Sequence, residues 1–291
     1  MFKGIFTALL TPFDNDNKIN EKVLEQLVKH NLSMGVKGFY VCGSTGEAFL
    51  LSTDERKQVM EIVKDCAPDS TLIAHIGSVH EAEATELAKC AEKLGYNAIS
   101  SVAPFYYKFS FEEIKGYYNR LAGSVNIPML VYHFPAFSGV NMGAGEIGQF
   151  LENDKFLGVK FTSNDFFTLE QIKSKFPNKI VYNGFDEMLL SGLSMGADGG
   201  IGSTYNFMAD KFVKIQQLFS KNKIAEAQEI QREANRIITI LCKVGVMQAE
   251  KEVLNQLGLD FGECRRPFIA PTAEQKELIA KEIVPFVKKI D

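Results

Sequence analysis

Eight short apolar segments recur along roughly the first 220 residues, and segments with helical periodicity separate them. The apolar segments are rich in β-branched and aromatic residues, and they are apolar throughout instead of alternating with polar residues. This pattern is typical of parallel strands that are buried on both faces of a sheet. The predicted strands are residues 4–13, 38–43, 71–77, 98–104, 129–135, 156–162, 179–184 and 199–203.

Eight strand–helix units are the number that closes a (β/α)8 barrel, so we expect an α/β fold of the TIM-barrel type. A doubly wound open sheet is the alternative. The chain has no GxGxxG motif after its first strand and no GxxxxGK[ST] motif, which weakens the nucleotide-binding versions of that alternative.

The segments between the predicted strands carry helix signals. Residues 21–34 place Val23, Leu24, Leu27 and Val28 on one helix face. In a capping box, a Ser or Thr and a Glu or Gln three residues later satisfy free backbone N–H groups at a helix start. This spacing occurs at Ser52 and Glu55, at Ser110 and Glu113, and at Thr168 and Gln171.

The strand–helix alternation ends near residue 222. We expect helices at 223–244, 246–257 and 272–290. No Gly-, Ser- or Pro-rich linker precedes them, so we interpret residues 1–222 as the barrel and residues 223–291 as a helical extension packed on it, within one domain.

The overall charge argues against several kinds of partner. The chain of 291 residues has a net charge of −4, with 46% hydrophobic and 23% charged residues. No basic run suggests binding to nucleic acid or to a membrane surface. The apolar start of the chain is too short to span a bilayer and lacks a cleavage site, so we expect a cytoplasmic protein.

Cysteine and histidine residues are dispersed along the sequence. No two cysteines have CxxC spacing, and no two histidines lie at a metal-ligand interval on a helix. The sequence therefore predicts neither a disulfide framework nor a metal centre, and it contains no signal for a cofactor.

A lysine interrupts the apolar segment FLGVKFT at residues 156–162. Lys160 could lie on an edge strand with its ammonium group in water, because lysines are seldom fully buried. Alternatively, it could be a desolvated amine that acts as a nucleophile. The local pattern favours the first interpretation, and the second depends on what surrounds the lysine.

In a (β/α)8 barrel, functional groups gather at the carboxyl ends of the strands. The loop GSTGE at 43–47 combines two glycines with two hydroxyl groups, which suits carboxylate binding, although Ser44 or Thr45 could instead cap a helix. Other polar residues fall at the same end of successive strands. They are Tyr132, His133, Lys160, Thr162, and residues in 104–110, 183–187 and 202–206.

Each of these residues has an ordinary structural explanation on its own. Tyr132 could be a core residue, and Asp186 and Glu187 could stabilise a helix N-terminus. Such separate explanations do not account for a lysine, a tyrosine, hydroxyl groups and acids at one end of the barrel. A desolvated lysine can form an imine with a ketone, and a nearby tyrosine can transfer protons. The combination predicts a class I aldolase that acts on a 2-oxo acid.

Six motifs in order along the chain add a resemblance to a known family. They are GSTGEAF (43–49), VAPFYYKFSFEE (102–113), VYHFPAFSGV (131–140), GVKFT (158–162), YNGFDE (182–187) and GADGGIGSTYN (196–206). With them, the chain resembles the N-acetylneuraminate lyases, which are pyruvate-dependent aldolases related to dihydrodipicolinate synthase. The resemblance covers almost the whole chain, and it implies a TIM barrel that assembles as a homotetramer. It also implies reversible cleavage of N-acetylneuraminate, a sialic acid, to N-acetylmannosamine and pyruvate.

The resemblance also implies roles for individual residues. Lys160 would form the Schiff base, and Tyr132 would carry protons with help from Ser44 and from Tyr106 of a neighbouring subunit. Ser44 and Thr45 would hold the substrate carboxylate. The polyhydroxy part of the substrate would contact Thr162, Gly184, Asp186, Glu187 and Ser203.

Two features favour a lyase over a synthase. Dihydrodipicolinate synthases usually carry an arginine at the position of Phe137, where the arginine binds a second carboxylate. In addition, Asp186 and Glu187 suit a substrate with many hydroxyl groups. An aldolase for another sugar acid and a non-catalytic sugar sensor remain as alternatives. His133 and Cys42 depart from the family pattern beside the expected site, where they could affect rate or substrate preference.

Overall fold

The computed structural model describes residues 1–290 and shows a closed barrel of eight parallel strands in sequential order, as the sequence predicts. β8 pairs with β1, with Gly199 opposite Gly4, and this pairing closes the ring. The strands are β1 (Gly4–Ala8), β2 (Gly38–Val41), β3 (Thr71–His75), β4 (Ala98–Val102), β5 (Met129–His133), β6 (Phe156–Phe161), β7 (Ile180–Asn183) and β8 (Gly199–Gly202).

Helices surround the barrel and continue past its last strand. They are α1 (Glu21–Ser33), α2 (Thr53–Cys66), α3 (Glu81–Lys93), α4 (Phe111–Gly123), α5 (Pro135–Ser138), α6 (Ala144–Leu151), α7 (Phe166–Lys175), α8 (Leu189–Ser194), α9 (Tyr205–Ser220), α10 (Ile224–Val244), α11 (Val246–Gln256) and α12 (Ala273–Glu282). Two 3-10 turns, at Asp186–Met188 and Val284–Phe286, complete the regular structure in the described residues.

Two of the three predicted capping boxes are confirmed. Ser52 caps α2 and Ser110 caps α4, each with the glutamate three residues later. The prediction at Thr168 was wrong, because α7 begins earlier and Asp165 is its N-cap, accepting a hydrogen bond from the Thr168 N–H at 3.0 Å. Aspartate is a stronger N-cap than threonine, which explains the earlier start.

The three helices after the barrel are present, and α10 packs against α9. The last helix is shorter than predicted and ends at Glu282. Pro285 lies three residues beyond this end, and a proline and the residue before it are unfavourable in a helix. The division of the chain at residue 222 stays a prediction.

The strands separate two apolar cores. Side chains on their outer faces pack against the helices, and a smaller set fills the barrel interior, including Phe6, Tyr40, Leu130, Tyr132 and Tyr182. Because side chains alternate along a strand, Tyr132 points into the barrel and its neighbour Val131 packs outward. The carboxyl ends of the strands therefore leave an interior whose floor is aromatic. No helix within residues 1–290 has the length and apolar composition needed to cross a membrane.

Candidate active site

A cavity of about 450 Å³ lies at the carboxyl ends of the strands, and we call it the site cavity. Every residue to which the resemblance assigned a role lines it, except Tyr106. These residues are Ser44, Thr45, Tyr132, Lys160, Thr162, Gly184, Asp186, Glu187 and Ser203. They come from five different strand ends, so closure of the barrel is what brings them together.

Lys160 is buried inside the barrel with 4% of its surface exposed, so the interpretation as an edge-strand lysine is wrong. Its Nζ lies 4.0 Å from the centre of the Tyr132 ring and 4.4 Å from that of Tyr40. Burial lowers the pKa of Lys160 to about 7, and the nearby Asp186 carboxylate opposes that shift. A substantial fraction of this amine is therefore uncharged at neutral pH and can act as a nucleophile.

Tyr132 is also buried, and its ring meets the Tyr40 ring edge to face at 5.8 Å. Burial raises the pKa of Tyr132 well above its ordinary value, while the Ser44 hydroxyl beside the phenol opposes the shift. The Thr162 hydroxyl lies beside the phenol as well, but its geometry falls short of an ordinary hydrogen bond. Tyr132 is therefore a neutral phenol with a hydroxyl partner, an arrangement that can pass a proton along.

The GSTGE loop lies between β2 and α2, and its hydroxyl groups do not cap the helix. α2 begins at Thr53 and is capped by Ser52, so Ser44 and Thr45 instead line the cavity. Buried contacts fix the loop from behind. The Gly46 carbonyl accepts a hydrogen bond from the Thr11 hydroxyl at 2.9 Å, and Glu47 has a φ of 58° and pairs with Lys251.

Gly184 and Thr162 approach each other closely at the ends of β7 and β6. A Cβ atom at position 184 would lie 1.9 Å from the Thr162 hydroxyl oxygen. Only glycine fits there, and any side chain would push Thr162 out of the cavity wall.

Asp186 is buried and part of its carboxylate is already used. Its Oδ2 accepts hydrogen bonds from the Thr204 backbone N–H at 2.8 Å and from the Thr204 hydroxyl at 2.7 Å. Burial raises the pKa of Asp186 to about 7, and the Thr204 contacts oppose that shift. Its Oδ1 lies against Gly202, where a Cβ atom would come within 1.8 Å. Asp186 thus joins β8 to the site and has one oxygen left for a ligand.

Helices α10 and α11 supply polar residues that the sequence did not reveal. Gln231 donates to the Asp186 carbonyl and Asn235 donates to the Glu187 carbonyl, both at 3.1 Å, so α10 holds the loop that carries the two acids. Glu250 of α11 is fully buried, and its Oε1 lies 2.7 Å from the Ser203 hydroxyl in a hydrogen bond. The only signal for these contacts in the sequence is that Gln231 and Glu250 occupy positions of amphipathic helices that are otherwise apolar.

Three residues that were expected at or beside the site lie elsewhere. Tyr106 does not line the site cavity of its own chain. It has a φ of 78°, is 87% exposed, and packs edge to face against Tyr107 beside a separate cavity. His133 was expected at the same end of the barrel, but it points outward and stacks on Phe161, with ring centres 5.0 Å apart. Cys42 is buried behind the loop and contacts the Arg56 carbonyl.

The alternation of side chains explains the position of His133. Because Tyr132 points inward, the next residue must point outward, toward the helices. Burial lowers the pKa of His133 to about 4. This histidine is therefore uncharged at neutral pH, and it reaches the site only through the strand that it shares with Tyr132.

The family of the chain follows from a comparison with known proteins. A model described as the Dihydrodipicolinate synthetase family matches residues 1–285. The chain belongs to this family. Among the members that it resembles, the N-acetylneuraminate lyase of Haemophilus influenzae is 47% identical over 283 residues, which are 97% of each chain.

Solved structures of family members share the whole architecture. CdNal from Clostridium difficile, crystallised in complex with mannosamine, is 47% identical with a TM-score of 0.95, and the match covers 98% of this chain and 99% of the other. The N-acetylneuraminate lyase of Fusobacterium nucleatum complexed with pyruvate is 43% identical with a TM-score of 0.91, and the match covers 97% of both chains.

Proposed function

We propose that the protein catalyses the reversible cleavage of N-acetylneuraminate to N-acetylmannosamine and pyruvate through a Schiff base on Lys160. The observation that carries this proposal is the buried amine of Lys160, whose pKa is about 7 and whose Nζ lies 4.0 Å from the centre of the Tyr132 ring. The relatives support the choice of substrate, since lyases with this name match along almost the whole chain.

The carboxylate of the substrate would bind to the GSTGE loop. The hydroxyl groups of Ser44 and Thr45 face the cavity, and backbone N–H groups of a tight loop are good anion donors. Because the protein carries a net charge of −4, local donors of this kind have to provide the attraction. Binding there would place the neighbouring keto carbon next to Lys160.

The uncharged Lys160 amine would then attack the keto carbon of the open-chain sugar acid. Loss of water gives a protonated imine, with one proton supplied through water in the cavity and released again when the imine is hydrolysed. When the bond between C3 and C4 breaks, its electron pair moves toward the imine nitrogen and an enamine forms. The C4 hydroxyl loses its proton at the same time and becomes the aldehyde of N-acetylmannosamine.

Tyr132 and Ser44 would carry this proton. The Ser44 hydroxyl lies beside the Tyr132 phenol, and the two groups would form the path along which the proton leaves the C4 hydroxyl and returns to C3 of the enamine. The product is the imine of pyruvate, and water hydrolyses it to pyruvate and the free amine. The proton count closes within the site, without a metal or a cofactor in the proposed steps.

The remaining residues of the cavity would bind the rest of the sugar acid. Thr162, Gly184, Asp186, Glu187 and Ser203 line the same cavity. Phe137 occupies the position where synthases usually have an arginine, and no arginine lines the cavity in the described part of the chain. A second carboxylate would therefore meet acids instead of a cation, which favours a polyhydroxy substrate.

A homotetramer in the cytoplasm is part of the same proposal. Tyr106 and Tyr107 are 87% and 63% exposed, which is unusual for large aromatic side chains and supports their burial between subunits. In such an assembly, Tyr106 would reach the site of a neighbouring subunit. All five cysteines are free thiols, consistent with a reducing compartment.

Turnover of competing substrates tests the proposed activity. Purified protein is assayed with N-acetylneuraminate, with a 2-keto-3-deoxy sugar acid, and for condensation of pyruvate with aspartate semialdehyde. We expect the highest kcat/KM for N-acetylneuraminate. Equal or higher kcat/KM on either of the other substrates would overturn the lyase assignment while leaving the aldolase chemistry in place.

A further inference from the structure

Glu250 is a buried carboxyl group without a positively charged partner. It lies on α11, it is fully buried, and its Oε2 has no hydrogen-bond partner among residues 1–290. The adjacent lysine, Lys251, pairs with Glu47 at 2.6 Å instead. Burying a carboxyl group in such surroundings lowers the stability of the folded protein, which points to a role other than stabilisation.

The one hydrogen-bond partner of Glu250 is a residue of the site cavity. Its Oε1 lies 2.7 Å from the Ser203 hydroxyl, and Ser203 lines the cavity together with Lys160 and Asp186. The Ser203 backbone is fixed independently, because its carbonyl accepts a hydrogen bond from the Asn206 side chain at 2.7 Å. Glu250 therefore affects the orientation of the Ser203 hydroxyl but is not needed to position the Ser203 backbone.

The protonation state of Glu250 determines what Ser203 can offer to a ligand. If Glu250 is ionised, it can only accept a hydrogen bond, so the hydroxyl hydrogen of Ser203 points at Glu250. A ligand in the cavity then meets only the lone pairs of the Ser203 oxygen. If Glu250 is neutral, its own O–H can donate to Ser203, and the Ser203 hydrogen is available to the cavity. In the neutral form, the unpartnered Oε2 is a carbonyl oxygen, and burying it costs less free energy than burying a charged carboxylate oxygen.

The groups around Glu250 favour the neutral form. Burial raises the pKa of Glu250 to about 8, and the nearby Asp186 carboxylate adds to the shift, while Ser203 opposes it. Cys242 on α10 and Cys264 after α11 face the same carboxyl group, and neither provides a positive charge. On α11 itself, the charge of Lys251 is matched by Glu47.

We propose that Glu250 is a positioning residue that holds the Ser203 hydroxyl as a hydrogen-bond donor toward the cavity and thereby selects an acceptor oxygen on the bound substrate. This inference rests on the proposed lyase function. In the proposed function, Ser203 contacts the polyhydroxy part of the sugar acid, so the selected oxygen belongs to that part. Glu250 itself does not line the site cavity.

Four variants test the proposal: Glu250→Leu, Glu250→Gln, Ser203→Ala and the double variant Glu250→Leu with Ser203→Ala. In Glu250→Leu, we expect KM for N-acetylneuraminate to rise about three- to tenfold, the range for one hydrogen bond, with little change in kcat. Glu250→Gln should keep the KM of the parent, because its amide group donates to Ser203 as the neutral acid does. The double variant should be no worse than Ser203→Ala alone.

A pH profile adds a readout that a merely structural role would not change. KM of the parent should rise as the pH passes about 8, where Glu250 ionises, and Glu250→Gln should lack this rise. This comparison remains decisive if Glu250→Leu fails to fold. The inference is overturned if Glu250→Leu keeps the parental KM, if its effect adds to that of Ser203→Ala, or if Glu250→Gln retains the alkaline rise.

Trapping with pyruvate separates this inference from the proposed function. Pyruvate lacks the part of the substrate that would reach Ser203, so borohydride should attach it equally well to the parent, to Glu250→Leu and to Glu250→Gln. A parent that fails to cleave N-acetylneuraminate overturns both the proposed function and this inference. A parent that cleaves it, together with an unchanged KM in Glu250→Leu, overturns this inference alone.

Discussion

Within residues 1–290 two lysines are buried, and they differ in whether a carboxylate pairs with the amine. Lys251 is 1% exposed, pairs with Glu47 at 2.6 Å, and donates to the Glu263 carbonyl. Lys160 is 4% exposed, lies over two aromatic rings, and has no salt bridge within residues 1–290. Burial lowers the pKa of both lysines, but only Lys251 has a paired carboxylate, Glu47, which opposes the shift.

This difference separates a structural amine from a reactive one. The Lys251 ammonium joins α11 to the GSTGE loop and lies 4.2 Å from the centre of the Phe13 ring, so its charge is part of the fold. The Lys160 amine faces a cavity and can lose its proton without breaking an ion pair. A buried lysine becomes a candidate nucleophile when it lacks a paired carboxylate and faces a cavity that can admit a carbonyl compound.

The largest expected effect is on activity. Lys160→Ala should reduce kcat/KM for N-acetylneuraminate by at least about a thousandfold, because no other side chain can form the imine. Circular dichroism and thermal unfolding should show a folded protein. The exposed Lys22 provides a control, and Lys22→Ala should keep parental turnover. Residual turnover within tenfold of the parent would place the nucleophile elsewhere.

The second effect is on stability and concerns the other lysine. Lys251→Met leaves Glu47 buried without its partner, so it should lower the free energy of unfolding by about 3–5 kcal/mol, as measured by urea denaturation. The double variant Lys251→Met with Glu47→Gln should cost less, since no unpaired charge remains. If the single change costs nothing, the ion pair does not stabilise the loop and the contrast between the two lysines fails.

A third change keeps the aromatic surroundings of Lys160 and removes only a hydroxyl group. Tyr132→Phe should lower kcat about a hundredfold, in the range typical of lost proton transfer, while the imine with pyruvate still forms. Rapid-quench trapping would separate the two steps. Parental turnover in this variant would remove Tyr132 from the proton path.

The last expected effect is a change in how stability depends on pH. The pKa of Lys160 is about 7 in the folded protein and near 10.5 in an unfolded chain, so the unfolded state binds more protons between these values. The contribution of this group to stability therefore rises with pH across that window and is lowest below about pH 7. The gain in the free energy of unfolding of Lys160→Met over the parent should be largest near pH 6 and should be smaller by about pH 10. Urea denaturation at both pH values measures it, and a constant difference would contradict the lowered pKa.

Much of the fold and most of the cavity followed from local patterns in the sequence. Apolar strands at regular intervals predicted the barrel, and the rule that strand ends converge placed Ser44, Tyr132, Lys160 and Ser203 together. The predicted placement of His133 was wrong. Adjacent residues of a strand point to opposite faces, so Tyr132 and His133 could not both face the site.

Glu250, Gln231 and Asn235 could not have been predicted in the same way. Their contacts with residues 186, 187 and 203 depend on how α10 and α11 pack over the barrel, and no local pattern encodes that orientation. Tyr106 shows a further limit of local patterns, because its proposed role requires a second subunit.

The central claim is that the Lys160 amine is uncharged often enough to condense with a keto acid. Incubation with pyruvate and borohydride, followed by peptide mass spectrometry, tests it most directly. The account predicts a reduced pyruvate adduct on Lys160 in the parent and none in Lys160→Ala. An unmodified Lys160 in the parent, or an equal adduct in Lys160→Ala, would contradict it.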